Sequence, residues 1–136
     1  MTESHHDRLL LYSFLILPVA ASAGTTIYTD SHQRPMNPPA GVRVVLLDAP
    51  EQTQDTFFGV LPAEPAEASA RVMERMQSPE WQSFQAGLAE HYRALAHAWS
   101  LGLKKYPAVV FDDSEVVYGT TDVVLAEQLR TGGGQP

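Results

Sequence analysis

The chain has 136 residues, nine of them basic and sixteen acidic, for a formal charge of −7 with histidine neutral, and it contains no cysteine. An acidic surface repels phosphate backbones and no basic cluster overrides that, so no nucleic-acid partner is expected. Without cysteine there is neither a disulfide nor thiol chemistry, and stability has to come from packing alone.

Arg8 precedes an apolar run, Leu9 to Ala20, which leads into Ala21-Ser22-Ala23. A charged start, an apolar stretch and a small-x-small site are the three parts of an export signal, with the cut expected between Ala23 and Gly24. His5, His6, Glu3 and Asp7 make the start less basic than usual. The run holds about 12 residues, whereas a helix needs roughly 20 to cross a bilayer, and Pro18 interrupts it. A leader over residues 1–23 is therefore expected, with release into the periplasm and no stable membrane insertion after cleavage. Taking Arg8, Glu3 and Asp7 from the nine basic and sixteen acidic residues leaves eight and fourteen, a charge of −6 on 113 residues. That length suits one domain, expected over residues 24–130.

Thr25 to Thr29 is β-branched and aromatic and reads as a strand, broken off by the polar, proline-rich stretch Asp30 to Gly41. Val42 to Leu47 is nearly all apolar, the pattern of a strand buried on both faces of a sheet covered by helices. Asp48-Ala49-Pro50 stops it, and Glu51 to Val60 is a short helix of poor apolar spacing. Glu64 to Gln77 is a better helix, with Pro65 in its first turn and Ala68, Val72, Met73 and Met76 on one face. Ser78-Pro79-Glu80 restarts a helix, Ser78 as its capping residue. Trp81, Phe84, Leu88, Tyr92, Leu95 and Trp99 then recur at three- and four-residue intervals, a stripe expected to face the core.

Gly102 ends that helix. Ala108 to Phe111 and Val116 to Tyr118, joined by Asp112-Asp113-Ser114, read as a β-hairpin. A closing helix is expected from Asp122 to Arg130, burying Val123, Ala126 and Leu129, and residues 131–136 are expected to be a disordered tail. The order strand, strand, helices, strand, strand, helix predicts an α/β layered domain.

The segment Leu101 to Gly119 resembles the second half of a thioredoxin fold: Leu101-Gly102-Leu103 ends a helix, Pro107 opens a strand, and the hairpin returns through Gly119. The resemblance implies a mixed sheet of about four strands, structural roles for Gly102, Pro107 and Gly119, and a cis Tyr106–Pro107 bond. Thr26 to Asp30 is similar to the first strand of periplasmic disulfide isomerases, but Ser31 to Met36 follows where a CxxC motif would stand. Exchange needs a thiolate, so redox chemistry is lost and the first helix of that fold is expected to be short or missing. A narrower likeness spans the mature chain through Thr29-Asp30-Ser31, Leu47-Asp48-Ala49-Pro50, Trp99-Ser100-Leu101-Gly102 and Lys105 to Val123. These phrases resemble a family of small exported proteins of integrating conjugative elements, and the last is similar to an F-type pilus-assembly component. The resemblance implies a role beside conjugative transfer and type IV secretion, with envelope proteins of that apparatus as partners and no catalytic residues.

Asp30, Ser31 and His32 place an acid, a hydroxyl and an imidazole in sequence, but neighbours on an extended loop point apart and a triad must converge. Turn-forming and capping roles are expected for Asp30 and Ser31. His91 and His97 are six apart on a helix and cannot share an ion, and Glu90 with Arg93 reads as solvated surface. No cofactor, metal site or enzymatic activity is expected. By the thioredoxin likeness, the loop Asp30 to Arg34 and the loop Lys104 to Pro107 converge on a surface for an extended peptide, with Tyr106 as its aromatic anchor and Asp30, Ser31, His32 and Pro107 beside it. A chaperone for envelope subunits and an enzyme with a non-thiol site in the same cleft are the alternatives. N-terminal sequencing of protein recovered from the periplasm is expected to begin at Gly24; recovery of the intact leader in the cytosol would overturn the export reading.

Overall fold

A computed structural model describes residues 24–131; the leader, its cut site and residues 132–136 of the expected tail lie outside the described residues. Strands β1 (Thr25–Thr29), β2 (Arg43–Leu46), β3 (Ala108–Phe111) and β4 (Glu115–Tyr118) form one mixed sheet in the order β2-β1-β3-β4. β1 pairs parallel with β2, setting Tyr28 opposite Val45, and antiparallel with β3, setting Ile27 opposite Val109. β3 and β4 form the expected hairpin, and both Asp112 and Asp113 take positive φ in its turn. This is the mixed α/β architecture read from the sequence, and its strand order and senses are those of a thioredoxin-like sheet. The Tyr106–Pro107 bond is cis.

Helices α1 (Ala49–Phe58), α2 (Pro65–Met76) and α3 (Trp81–Ser100) lie between β2 and β3, and α4 (Val123–Thr131) closes the domain. The two-residue alternation of the strands divides the core between the two faces of the sheet. Ile27, Val109, Phe111 and Val117 face Ala126 of α4, while Tyr28, Val45 and Val110 face Ala98 of α3. Ile27 and Val109 are fully buried, each worth about 1.5–3 kcal/mol of transfer free energy. Asp122 caps α4, accepting from the Val124 and Leu125 N–H groups at 3.0 and 3.2 Å.

Several elements depart from the pattern. α1 begins at Ala49, not Glu51, because Pro50 sits in its first turn, where a missing N–H costs nothing, instead of stopping the chain. β2 is an edge strand: Arg43 is exposed, and only Val45 is buried. Met73 and Met76 of α2 and Leu129 of α4 are exposed, since each helix packs through a narrower stripe than its apolar residues suggest. Ser78 does not cap α3; its hydroxyl donates back to the Arg75 carbonyl at 2.6 Å. Thr131, placed in the tail by the sequence, is the last residue of α4.

The largest departure concerns the aromatic stripe. Tyr92 is 50% exposed and Trp99 71%, and the α3 residue buried against the sheet is Ala98. Ala94 and Leu101 flank it in the same apolar cluster. A helix approaches a sheet most closely where its side chains are smallest, so the alanines take the contact and the bulkier residues are rotated aside. Trp81 and Phe84 pack instead on α1, where Phe57 stacks on Phe84 at 4.1 Å between ring centroids. Arg75 of α2 closes this second cluster, donating to the Phe57 carbonyl at 2.8 Å with its guanidinium over the ring. In urea unfolding, Ile27→Ala is expected to cost about 2–5 kcal/mol, while Trp99→Ala stays within about 0.5 kcal/mol of wild type; a large loss for Trp99→Ala would restore it to the core.

Candidate functional site

Because β1 and β2 are parallel, both deliver their C-terminal ends to the same edge of the sheet, and antiparallel β3 starts there. Three segments therefore meet at that edge: residues 30–34 leaving β1, 47–51 leaving β2, and 103–107 entering β3. The carboxyl ends of parallel strands are where open α/β sheets form ligand crevices. Here the three segments and the last turns of α3 enclose a cleft of about 580 Å³.

Asp30 and His32 line it from the first segment, and Leu47, Asp48 and Glu51 from the second. Leu103, Lys104, Lys105 and Tyr106 line it from the third, with Leu95, Ala98 and Trp99 from α3. Gly102 makes the third segment's entry feasible: its φ of 71° lies where side chains are strained, and it turns the chain out of α3 toward the cleft. Gly119, at φ 92°, donates its N–H to the Pro107 carbonyl at 2.8 Å and ties the far end of the hairpin to the start of β3. The Lys104 N–H reaches the Tyr118 hydroxyl at 3.3 Å, and the Lys105 ammonium lies 5.4 Å from the centre of the Tyr118 ring.

The first segment forms a single 3₁₀ turn, Ser31–Gln33, in place of a full helix. One Asp30 carboxylate oxygen accepts the N–H groups of His32 and Gln33, both at 3.0 Å, which is the capping role expected of it. Ser31 does something the sequence did not suggest. Its N–H and hydroxyl both donate to Asp48, at 3.0 Å to Oδ1 and 2.5 Å to Oδ2, across seventeen positions of chain. Asp48 stands at the N-cap of α1 but makes no side-chain cap bond; its carboxylate is turned to Ser31 instead. The Ser31 hydroxyl bond is the main cause holding the Asp48 carboxyl below its ordinary pKa, its N–H adds to the effect, and partial burial opposes it.

The structure thus brings Asp30, His32 and Tyr106 to one cleft, with Ser31 behind Asp48 and Pro107 just beyond Tyr106. The Ser31 hydroxyl is directed to Asp48, not to His32. His97 lies 3.1 Å from Asp113 of the hairpin turn, and Glu90 pairs with Arg93 on the exposed side of α3. Among the described residues no group of three or more histidine, cysteine, aspartate or glutamate side chains is placed to hold a metal.

Residues 22–131 match a family described as a protein of unknown function (DUF1525). The chain belongs to that family. No curated protein and no solved structure matches it. The match takes in every element that builds the cleft. Sequence reasoning does not place Trp99, Asp48 or Glu51 at the site: periodicity assigns Trp99 to the core, and Leu47 to Pro50 reads as the end of a strand and as a family phrase, not as part of a cleft.

Removing the Ser31 hydroxyl tests the clamp. A carboxylate with a depressed folded pKa contributes stability above its unfolded pKa, and that contribution disappears as pH falls through the folded value. Ser31→Ala is therefore expected to raise the Asp48 pKa in an NMR titration and to lower stability at pH 7 by about 1 kcal/mol, discounted for solvent access. The two proteins should converge in acid; an unchanged Asp48 titration would remove the clamp.

Proposed function

We propose that the protein is an exported, redox-inactive thioredoxin-like binding module of an integrating conjugative element, acting as a periplasmic assembly or binding factor for the transfer apparatus. The observation that carries the binding reading is the cleft, where three strand-end segments converge around Tyr106 and Trp99, 51% and 71% exposed. Large aromatic side chains left in water beside a concave surface are the usual anchors of protein recognition. The place of a CxxC motif is taken by Ser31 to Met36, so on this reading the cleft is a thioredoxin-like site without its sulfur. An extended segment laid across it would meet backbone at the start of β3 and side-chain pockets between Trp99 and Leu47.

The setting rests on the sequence. The apolar run and small-x-small site before Gly24 support export, and the phrases from Thr29 to Ser31, Leu47 to Pro50, Trp99 to Gly102 and Lys105 to Val123 support the conjugative-element family. A mature charge of −6 supports protein partners over nucleic acid. Affinity capture from the periplasm of cells carrying such an element is expected to retain mating-pore components with the wild-type protein. Retention should fall at least about tenfold, a loss of about 1.4 kcal/mol or more, with Tyr106→Ala plus His32→Ala. Equal retention by the double variant would count against this surface.

A further inference from the structure

The charges of the cleft are arranged in a way that identifies the kind of segment it takes. Asp48 and Glu51 line it from the end of β2 and the start of α1, Asp30 and His32 from the segment after β1, and Lys104 and Lys105 from the segment before β3, where the Lys105 ammonium lies over the Tyr118 ring. The four ion pairs among the described residues include none of these six. The charged groups of the cleft thus form no ion pair with one another, although opposite charges gain from meeting.

The two sides differ in rigidity. Asp48 is held in place by two hydrogen bonds from Ser31, so a ligand meeting it need not order it, which keeps the binding cost low. Lys104 ends in a long flexible stem, with only its backbone N–H fixed, on the Tyr118 hydroxyl. Trp99 and Tyr106 line the same cleft and are largely exposed, and an aromatic ring attracts a cation and gives an aliphatic stem a surface to lie along.

We infer that the cleft selects an extended protein segment through an arginine or lysine side chain, its stem against Trp99 and Tyr106 and its charged head at Asp48 and Glu51. This specificity rests on the binding role proposed for the cleft. The occupant is a basic segment of a partner protein; the acidic domain attracts such a partner at long range, and the fixed carboxylate sets the register on arrival.

The test uses protein produced from the full chain and octapeptides displayed on phage, followed by three dye-labelled synthetic versions of the best binder. In these the basic residue is kept, changed to glutamine, or changed to glutamate. The expected order of affinity is basic, glutamine, glutamate, with glutamine about three- to tenfold weaker than basic, the range for a partly exposed charge contact. Raising NaCl from about 0.05 M to about 0.5 M, which shortens the screening length severalfold, should narrow the differences. Glu51→Lys should bring the glutamate peptide above the basic one, and Trp99→Ala, with wild-type urea stability as its folding control, should weaken all three. Peptides that lose affinity in Trp99→Ala yet show no preference among the three residues would overturn the charge selection and leave the cleft standing. Peptides indifferent to Trp99→Ala, or a library yielding no binder, would overturn the cleft reading together with the selection.

Discussion

β1 lies in the middle of the sheet, hydrogen-bonded to β2 on one side and β3 on the other, and the senses of those two pairings determine where everything else can be. Parallel pairing with β2 forces a crossover, which residues 30–42 supply with a single 3₁₀ turn, and puts two strand ends at one edge; α1, α2 and α3 then carry the chain from β2 to β3. Antiparallel pairing with β3 brings the start of another strand to that edge. The cleft is thus a consequence of strand direction, and its lining residues come from positions as far apart in the chain as Asp30 and Tyr106. The alternation along β1 then gives Ile27 to the α4 side and Tyr28 to the α3 side, so one five-residue strand anchors both halves of the core.

The connection between β1 and β2 holds little regular structure: the chain makes one 3₁₀ turn and passes through Pro35, Pro38 and Pro39 to β2. What holds the connection is polar: Asp30 caps the turn, the Thr29 hydroxyl donates to the Gln33 carbonyl at 2.9 Å, and Ser31 reaches Asp48. The bonds from Ser31 also fix the Asp48 carboxylate at the cleft. Support of the connection and electrostatic definition of the site are therefore carried by the same few side chains.

The aromatic residues of α3 are shared among three environments. Trp81 and Phe84 join Phe57 and Phe58 in a cluster away from the sheet. Leu88 and Leu95 are half-buried, and Tyr92 and Trp99 stand in solvent. The α3 residues that join the apolar cluster on the sheet are Ala98 and Ala94. The aromatic end of α3 is thereby free to line a cleft whose floor is Ala98 of the same helix.

Short-range physics made most of the elements legible in the sequence: β-branched runs gave the strands, proline and glycine gave their ends, and two adjacent aspartates gave the hairpin turn. The phrases around Pro107 carry the likeness to a thioredoxin sheet, and a chain without cysteine has no thiol to exchange. The rotation of α3 about its axis was decided only in three dimensions, because periodicity locates an apolar face without saying which of its residues approach closest. The Ser31 to Asp48 clamp was likewise invisible, since it joins two loops that become neighbours only when β1 and β2 pair. Sequence determines which groups a chain carries and what each segment prefers locally; whether a tryptophan lies in the core or at the mouth of a cleft depends on distances that exist only once the sheet has closed.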